Sequence, residues 1–111
     1  MIVNARRIRA IIWALSVAIS TLALNSAVYA SSMNSGKKFY AQHCAGCHGA
    51  DGKGRGPTVP DLTRHGRLFK SDLELKKIIK EGRGSMRGFR GQFENDESKL
   101  NHLLLYLRTL R

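Results

Sequence analysis

Cys44-Ala45-Gly46-Cys47-His48 holds both cysteines of the chain. Two thiols separated by two residues, with an imidazole directly after the second, form the C-x-x-C-H arrangement by which a c-type haem is attached. The spacing has a mechanical reason. One turn of chain lets both thiols reach the vinyl groups on one side of a porphyrin, while the adjoining imidazole comes up beneath the iron as an axial ligand. Other uses of a cysteine pair fit less well. A thioredoxin-like redox pair needs a βαβ setting that the sequence lacks, and a disulfide across two residues closes almost no loop and so stabilises little. A tetrahedral zinc site needs a ligand beyond Cys44, Cys47 and His48, with different spacing. Gly49 to Gly56, with four glycines around Asp51, Lys53 and Arg55, superficially resembles a phosphate loop, but it lacks both the Gly-Lys-Ser ending and the following helix.

An iron held by His48 has a further axial position, and its occupant decides whether the group carries electrons or binds small molecules. Met86, in the loop Gly82-Arg83-Gly84-Ser85-Met86, is the expected ligand. Met33 is expected to precede the first helix. The rivals are His65, in a basic loop, and His102, which lies between apolar positions of the last helix and reads as a packed or surface histidine. His43, next to Cys44, reads as solvent-facing.

These residues need elements to hold them. Ser35 is a candidate N-cap for a helix from about Gly36 to Cys44. Gly46 to Gly66 holds both prolines, Pro57 and Pro60, and cannot stay helical or extended for long. Ser71-Asp72-Leu73-Glu74 fits a capping box and opens a helix ending at Glu81-Gly82, with Leu75, Ile78 and Ile79 as its buried stripe. Gly82 to Gly91, with four glycines, reads as an ordered loop wrapping something. From Asp96 to Arg111, leucines at 100, 103, 104, 107 and 110 recur at helical spacing, with acidic residues at the start and arginines at the end to match the helix dipole. Nothing alternates with period two. The expectation is an all-α domain of about three helices whose long Gly-rich loops pack on a ligand.

Met1 to Arg9 is positive, Ala10 to Leu24 is largely apolar, and Val28-Tyr29-Ala30 offers small residues at both positions a signal peptidase reads. Residues 1–30 therefore read as a secretory signal peptide cut after Ala30, with an uncleaved anchor as the alternative. That leaves one small domain, residues 31–111, exported to the periplasm of a bacterial cell. So short a chain has little apolar interior and is expected to lean on a cofactor. All 8 acidic residues and 16 of the 19 basic ones lie beyond Ala30, so the domain carries a net charge of +8. The basic residues cluster in the loops, at Lys53, Arg55, Arg64, Arg67, Arg83, Arg87 and Arg90. Export makes nucleic acid an improbable partner, and an acidic protein face remains the natural complement.

On these residues the sequence resembles the class I c-type cytochromes. Gly36 and Tyr40 stand eight and four residues before Cys44, where that family places a glycine and an aromatic on its first helix. Leu103 and Tyr106 stand where its last helix crosses that glycine. The resemblance implies a small cytochrome c fold around one covalent haem c, with thioethers at Cys44 and Cys47 and axial ligands His48 and Met86. It also implies a backbone carbonyl near Pro57 or Pro60 as acceptor for the second N–H of His48, and apolar contacts from Val59, Leu62 and Phe69. Arg87 departs from the proline that family often has after its methionine, which leaves the backbone there less preset. The implied function is a monomeric, soluble periplasmic one-electron carrier, not an enzyme, that serves acidic redox partner proteins and touches membranes only transiently. Two alternatives stay open: a haem protein whose sixth site is open or displaceable, and a haem subunit of a larger periplasmic oxidoreductase.

Overall fold

The computed structural model describes residues 4–64 and 70–110, apart from the side chain of Leu22. The chain divides into two compact units, Met1–Ser31 and Ser32–Arg111.

The first unit is helical, part of α1 (Ala5–His43). Its large apolar side chains, among the described residues, are exposed, Trp13 at 73% and Ile19 at 70%. The hydroxyls of Ser16, Ser20 and Thr21 donate to carbonyls three or four residues earlier, which satisfies these polar groups within the apolar stretch. Among the described residues, this one helix is long and apolar enough to cross a membrane, a property that signal sequences share. The expected start at Ser35 is not seen: no glycine or proline occurs from Ala5 to Ser35 to interrupt the helix. Met33 accordingly lies inside α1 rather than before it.

The second unit is built on α3 (Asp72–Glu81) and α4 (Glu97–Leu107), with the C-terminal part of α1 and the single turn α2 (Ala45–His48). Ser71 caps α3 as expected, its hydroxyl accepting from the Glu74 N–H at 3.2 Å. The Glu74 carboxylate does not complete the box but pairs with Lys70. Asp96 caps α4 by accepting from the Ser98 N–H. That helix stops at Leu107 rather than running on, because residues 108 and 109 turn; Arg111 lies outside the described residues.

Leu100, Leu103, Leu104 and Leu107 of α4 are buried against Leu75 and Ile79 of α3 and against Tyr40, Phe89 and Phe93. The expected α1–α4 crossing is present. A Cβ on Gly36 would fall on the carbonyl oxygen of His102 and within 3.0 Å of the Tyr106 Cβ, so only glycine permits this approach. One turn along, the rings of Tyr40 and Tyr106 pack at 5.3 Å with a 55° tilt. Charged pairs tie the helices at the surface, Lys80 with Glu97 at 2.6 Å and Arg108 with Asp72 at 2.7 Å.

One element was unforeseen. Gly82–Arg83 (β1) and Met86–Arg87 (β2) pair antiparallel, with Gly82 opposite Arg87 and Arg83 opposite Met86. Two residues a side are too few to show alternation in a sequence. A short 3₁₀ turn, Arg90–Gln92, leads on towards α4.

Candidate haem site

The cysteine motif is one coil of backbone. The Cys44 N–H donates to the Tyr40 carbonyl at 2.9 Å, and the Cys44 carbonyl accepts from Cys47 and His48 at 3.2 and 2.9 Å. This brings both thiols and the imidazole together. The Gly-rich loop then folds back over them: Gly54 donates to the His48 carbonyl at 2.7 Å, Arg55 to that of Cys47 at 2.9 Å, and Leu62 to that of Gly52 at 2.7 Å. The buried Tyr40 hydroxyl clamps the same turn by donating to the Gly49 carbonyl at 2.7 Å. Farther along, Asp61 accepts from both the hydroxyl and the N–H of Thr63, at 2.6 and 2.8 Å.

Beside the motif lies a cavity of about 820 Å³, lined by Cys44, Cys47, His48 and Met86 together. That volume is near the top of the ~300–1,000 Å³ range of small-molecule and cofactor sites. Val59 and Leu62, expected as apolar contacts, line it too, and so do Leu75, Ile79, Leu103 and Leu107. The stripes of α3 and α4 thus serve both the core and the cavity, a double use that helical periodicity alone does not reveal.

His48 is half-buried, and burial lowers its pKa, with the Pro60 backbone carbonyl opposing that shift. A neutral imidazole is the form that offers a lone pair to a metal. Of the two candidate prolines, Pro60 is therefore the one whose carbonyl faces the ring, although Nδ1 closes no hydrogen bond of ordinary geometry among the described residues. Cys44 is half-buried and Cys47 exposed. Burial, then the neighbouring Cys47, pushes the Cys44 thiol up to about 11, the opposite of the depressed value that marks a redox-active thiolate.

The other histidines separate. His43 is a correction: it is half-buried and lines the cavity, because Phe39 packs on its ring at 4.5 Å. His102 is a packing residue whose carbonyl meets Gly36 and whose Nδ1 has no partner among the described residues. Neither His102 nor Met33 lines the cavity. His65, Arg67 and Phe69 lie outside the described residues.

Met86 is half-buried on β2. The hairpin sits on the end of α3: the Phe89 N–H donates to the Ile79 carbonyl at 2.9 Å, and a Cβ on Gly88 would strike the Lys80 carbonyl and come within 2.8 Å of the Glu81 carbonyl carbon. Phe89, which also lines the cavity, had no distinguishing signal in the sequence, since an isolated phenylalanine in a Gly-rich loop reads as ordinary packing. Lys70, Arg83 and Arg87 bring positive charge to the cavity lining. Several other loop cations have acidic partners, Arg64 with Asp61 at 3.5 Å and Arg90 with Glu81 at 3.3 Å among them.

The donor set, the apolar lining and the half-buried imidazole fit a haem c. The family model described as Cytochrome C oxidase, cbb3-type, subunit III matches residues 31–107 of this 111-residue chain. This chain belongs to that family. It is a c-type cytochrome domain of the all-α class, and its chemistry is haem-based electron transfer. A comparison with curated proteins found no match. In this cbb3-type subunit III domain the family match covers every element of the second unit, from the end of α1 through α4.

Proposed function

We propose that the mature chain is a soluble periplasmic one-electron carrier with a single haem c, joined covalently through Cys44 and Cys47 and ligated by His48 and Met86. The observation that carries this reading is that the thiols, the imidazole and the Met86 thioether line one cavity. When bound, the haem would supply a ferric/ferrous couple, and ligation by a thioether together with an imidazole would raise its potential. The chain's own residues do the rest. Tyr40 and the Gly49–Leu62 turns hold the motif, Pro60 offers a backbone carbonyl to His48, and the leucines of α4 exclude water. No substrate bond is made or broken. With a net charge of +8 on residues 31–111 and cations lining the cavity, the docking partner is an acidic redox protein, met by a monomer through a small transient interface.

The test is the visible spectrum of the purified protein, oxidised and then reduced. A low-spin ferric haem with the weak long-wavelength band of a thioether–iron bond, lost in Met86→Ala, supports the carrier. A high-spin ferric spectrum, or ready binding of cyanide, supports an open sixth site instead.

A second reading has its own support. The family description names an oxidase subunit, and α1 has the length and apolarity of a membrane span, so the domain could instead be an anchored haem subunit of a membrane oxidase complex. The N-terminus of the isolated protein separates the two: a start at Ser31 excludes the anchor, whereas a retained leader with detergent-dependent extraction favours it.

A further inference from the structure

Met86 has an unbranched side chain with three rotatable bonds, and it sits on a strand of two residues. Where its sulfur points therefore depends on what steadies the backbone on either side. The Phe89 N–H bond to Ile79 and the close approach of Gly88 hold that backbone to α3. A different set of contacts holds it to α1. Arg87, directly after Met86, lies with its guanidinium carbon 5.0 Å from the centroid of the Phe89 ring. Phe89 is buried and meets His43 edge-on at 6.0 Å and 65°, and Phe39 edge-on at 6.3 Å and 74°. His43 packs in turn on Phe39 at 4.5 Å. A cation above a ring face and rings meeting edge to face both attract through the ring quadrupole. The stack thus runs from the residue after Met86 to the last turn of α1, which leads straight into Cys44.

We propose that the Arg87–Phe89–His43–Phe39 stack positions Met86 for the iron, with Arg87 and Phe89 as positioning residues for the axial thioether. The proposal rests on the His48/Met86 ligation proposed above. Arg87 does not preset its own backbone as a proline would; it acts through its side chain, by holding Phe89 against α1 and so keeping β2 from drifting away from the cavity.

The experiment is an imidazole titration of the ferric holoprotein, followed by the long-wavelength thioether band, in the wild type, Met86→Ala, Arg87→Ala, Arg87→Lys and Phe89→Leu. Imidazole must displace the thioether, so its apparent affinity reads how firmly Met86 is held. The loss of one cation–π contact predicts about five-fold tighter imidazole binding in Arg87→Ala, with a weaker band. Arg87→Lys, which keeps a cation, returns towards wild type, and Met86→Ala binds imidazole most tightly of all. Arg87 is exposed, so its variants remain informative even where Phe89→Leu fails to fold. If Arg87→Ala lowers only the melting temperature, with imidazole affinity and band as in wild type while Met86→Ala binds tightly, the stack is merely structural and the proposal is overturned with ligation intact. A wild type that binds imidazole as tightly as Met86→Ala overturns the ligation itself, and the proposal with it.

Discussion

The segment from Cys44 to Leu62 and the segment from Gly82 to Phe93 face the same cavity but are held by different forces. The first is closed by directed hydrogen bonds onto its own backbone, from Gly54 and Arg55 to the motif carbonyls and from the Tyr40 hydroxyl to Gly49. The second rests on a two-residue hairpin, two backbone bonds to α3, from Gly82 to Ile78 and from Phe89 to Ile79, and aromatic packing. A buried hydrogen bond is directional and costly to leave unmade, whereas packed rings and a thioether adapt to small shifts. The histidine side is therefore preset by the polypeptide, and the methionine side is adjustable.

The strongest way to break this comparison is to remove each side's contribution outright. Cys44→Ser together with Cys47→Ser should leave haem fully extractable into acidified organic solvent, while Met86→Ala should keep it attached and change only the sixth-site spectrum. Equal haem loss in both would erase the asymmetry.

A substitution on the methionine side comes next. Gly88→Ala places a Cβ against the Lys80 carbonyl, and overpacking of this kind costs about 1–3 kcal/mol. The expected result is a lower melting temperature together with easier displacement of the thioether, read by cyanide titration.

On the histidine side, Tyr40→Phe leaves the Gly49 carbonyl without its donor and should cost about 1–2 kcal/mol in denaturant unfolding, with the thioether band unchanged. It also carries a pH signature. Burial above all, with negative charge on Tyr106 and Asp51 adding to it, pushes the Tyr40 phenol from 10.0 up to about 12. Between those values the unfolded chain releases a proton that the folded protein keeps. This contribution to stability is thus complete below pH 10 and lost as the pH rises to about 12. Unfolding curves across that window should fall more steeply for wild type than for Tyr40→Phe.

The smallest effect is expected at Arg108, which ties the end of α4 to Asp72 and to the Lys70 carbonyl, at 2.7 and 2.8 Å, away from both segments. Arg108→Gln removes an exposed pair and should cost under about 1 kcal/mol, with no spectral change. A shift of the thioether band in this variant would mean that the two sides are less separable than their contacts imply.

Legibility in the sequence followed the same division. The cysteine motif could be read outright because its chemistry depends on spacing along the chain, and one helical turn converts that spacing directly into geometry. The capping serine of α3 and the leucine stripe of α4 were readable for the same reason, whereas a close approach at Gly36 was expected only from the family resemblance, because its partners His102 and Tyr106 lie far along the chain. The start of the first helix was not, because serine and asparagine caps compete with a continuing helix on nearly equal local terms. His43 was misplaced because its surroundings are Phe39, one turn back, and Phe89, forty-six residues later.

Local interactions alone dictated the motif, the helix caps and the helical leucine spacing, since each involves residues within one or two turns. Only the folded arrangement decided that Pro60 rather than Pro57 faces His48, that His43 turns inward, and that Met86 comes to the same cavity as the thiols. Each of those outcomes depends on contacts between residues far apart in the chain. Such contacts form only when the Gly-rich loops close, and loop closure leaves no periodic trace in the sequence.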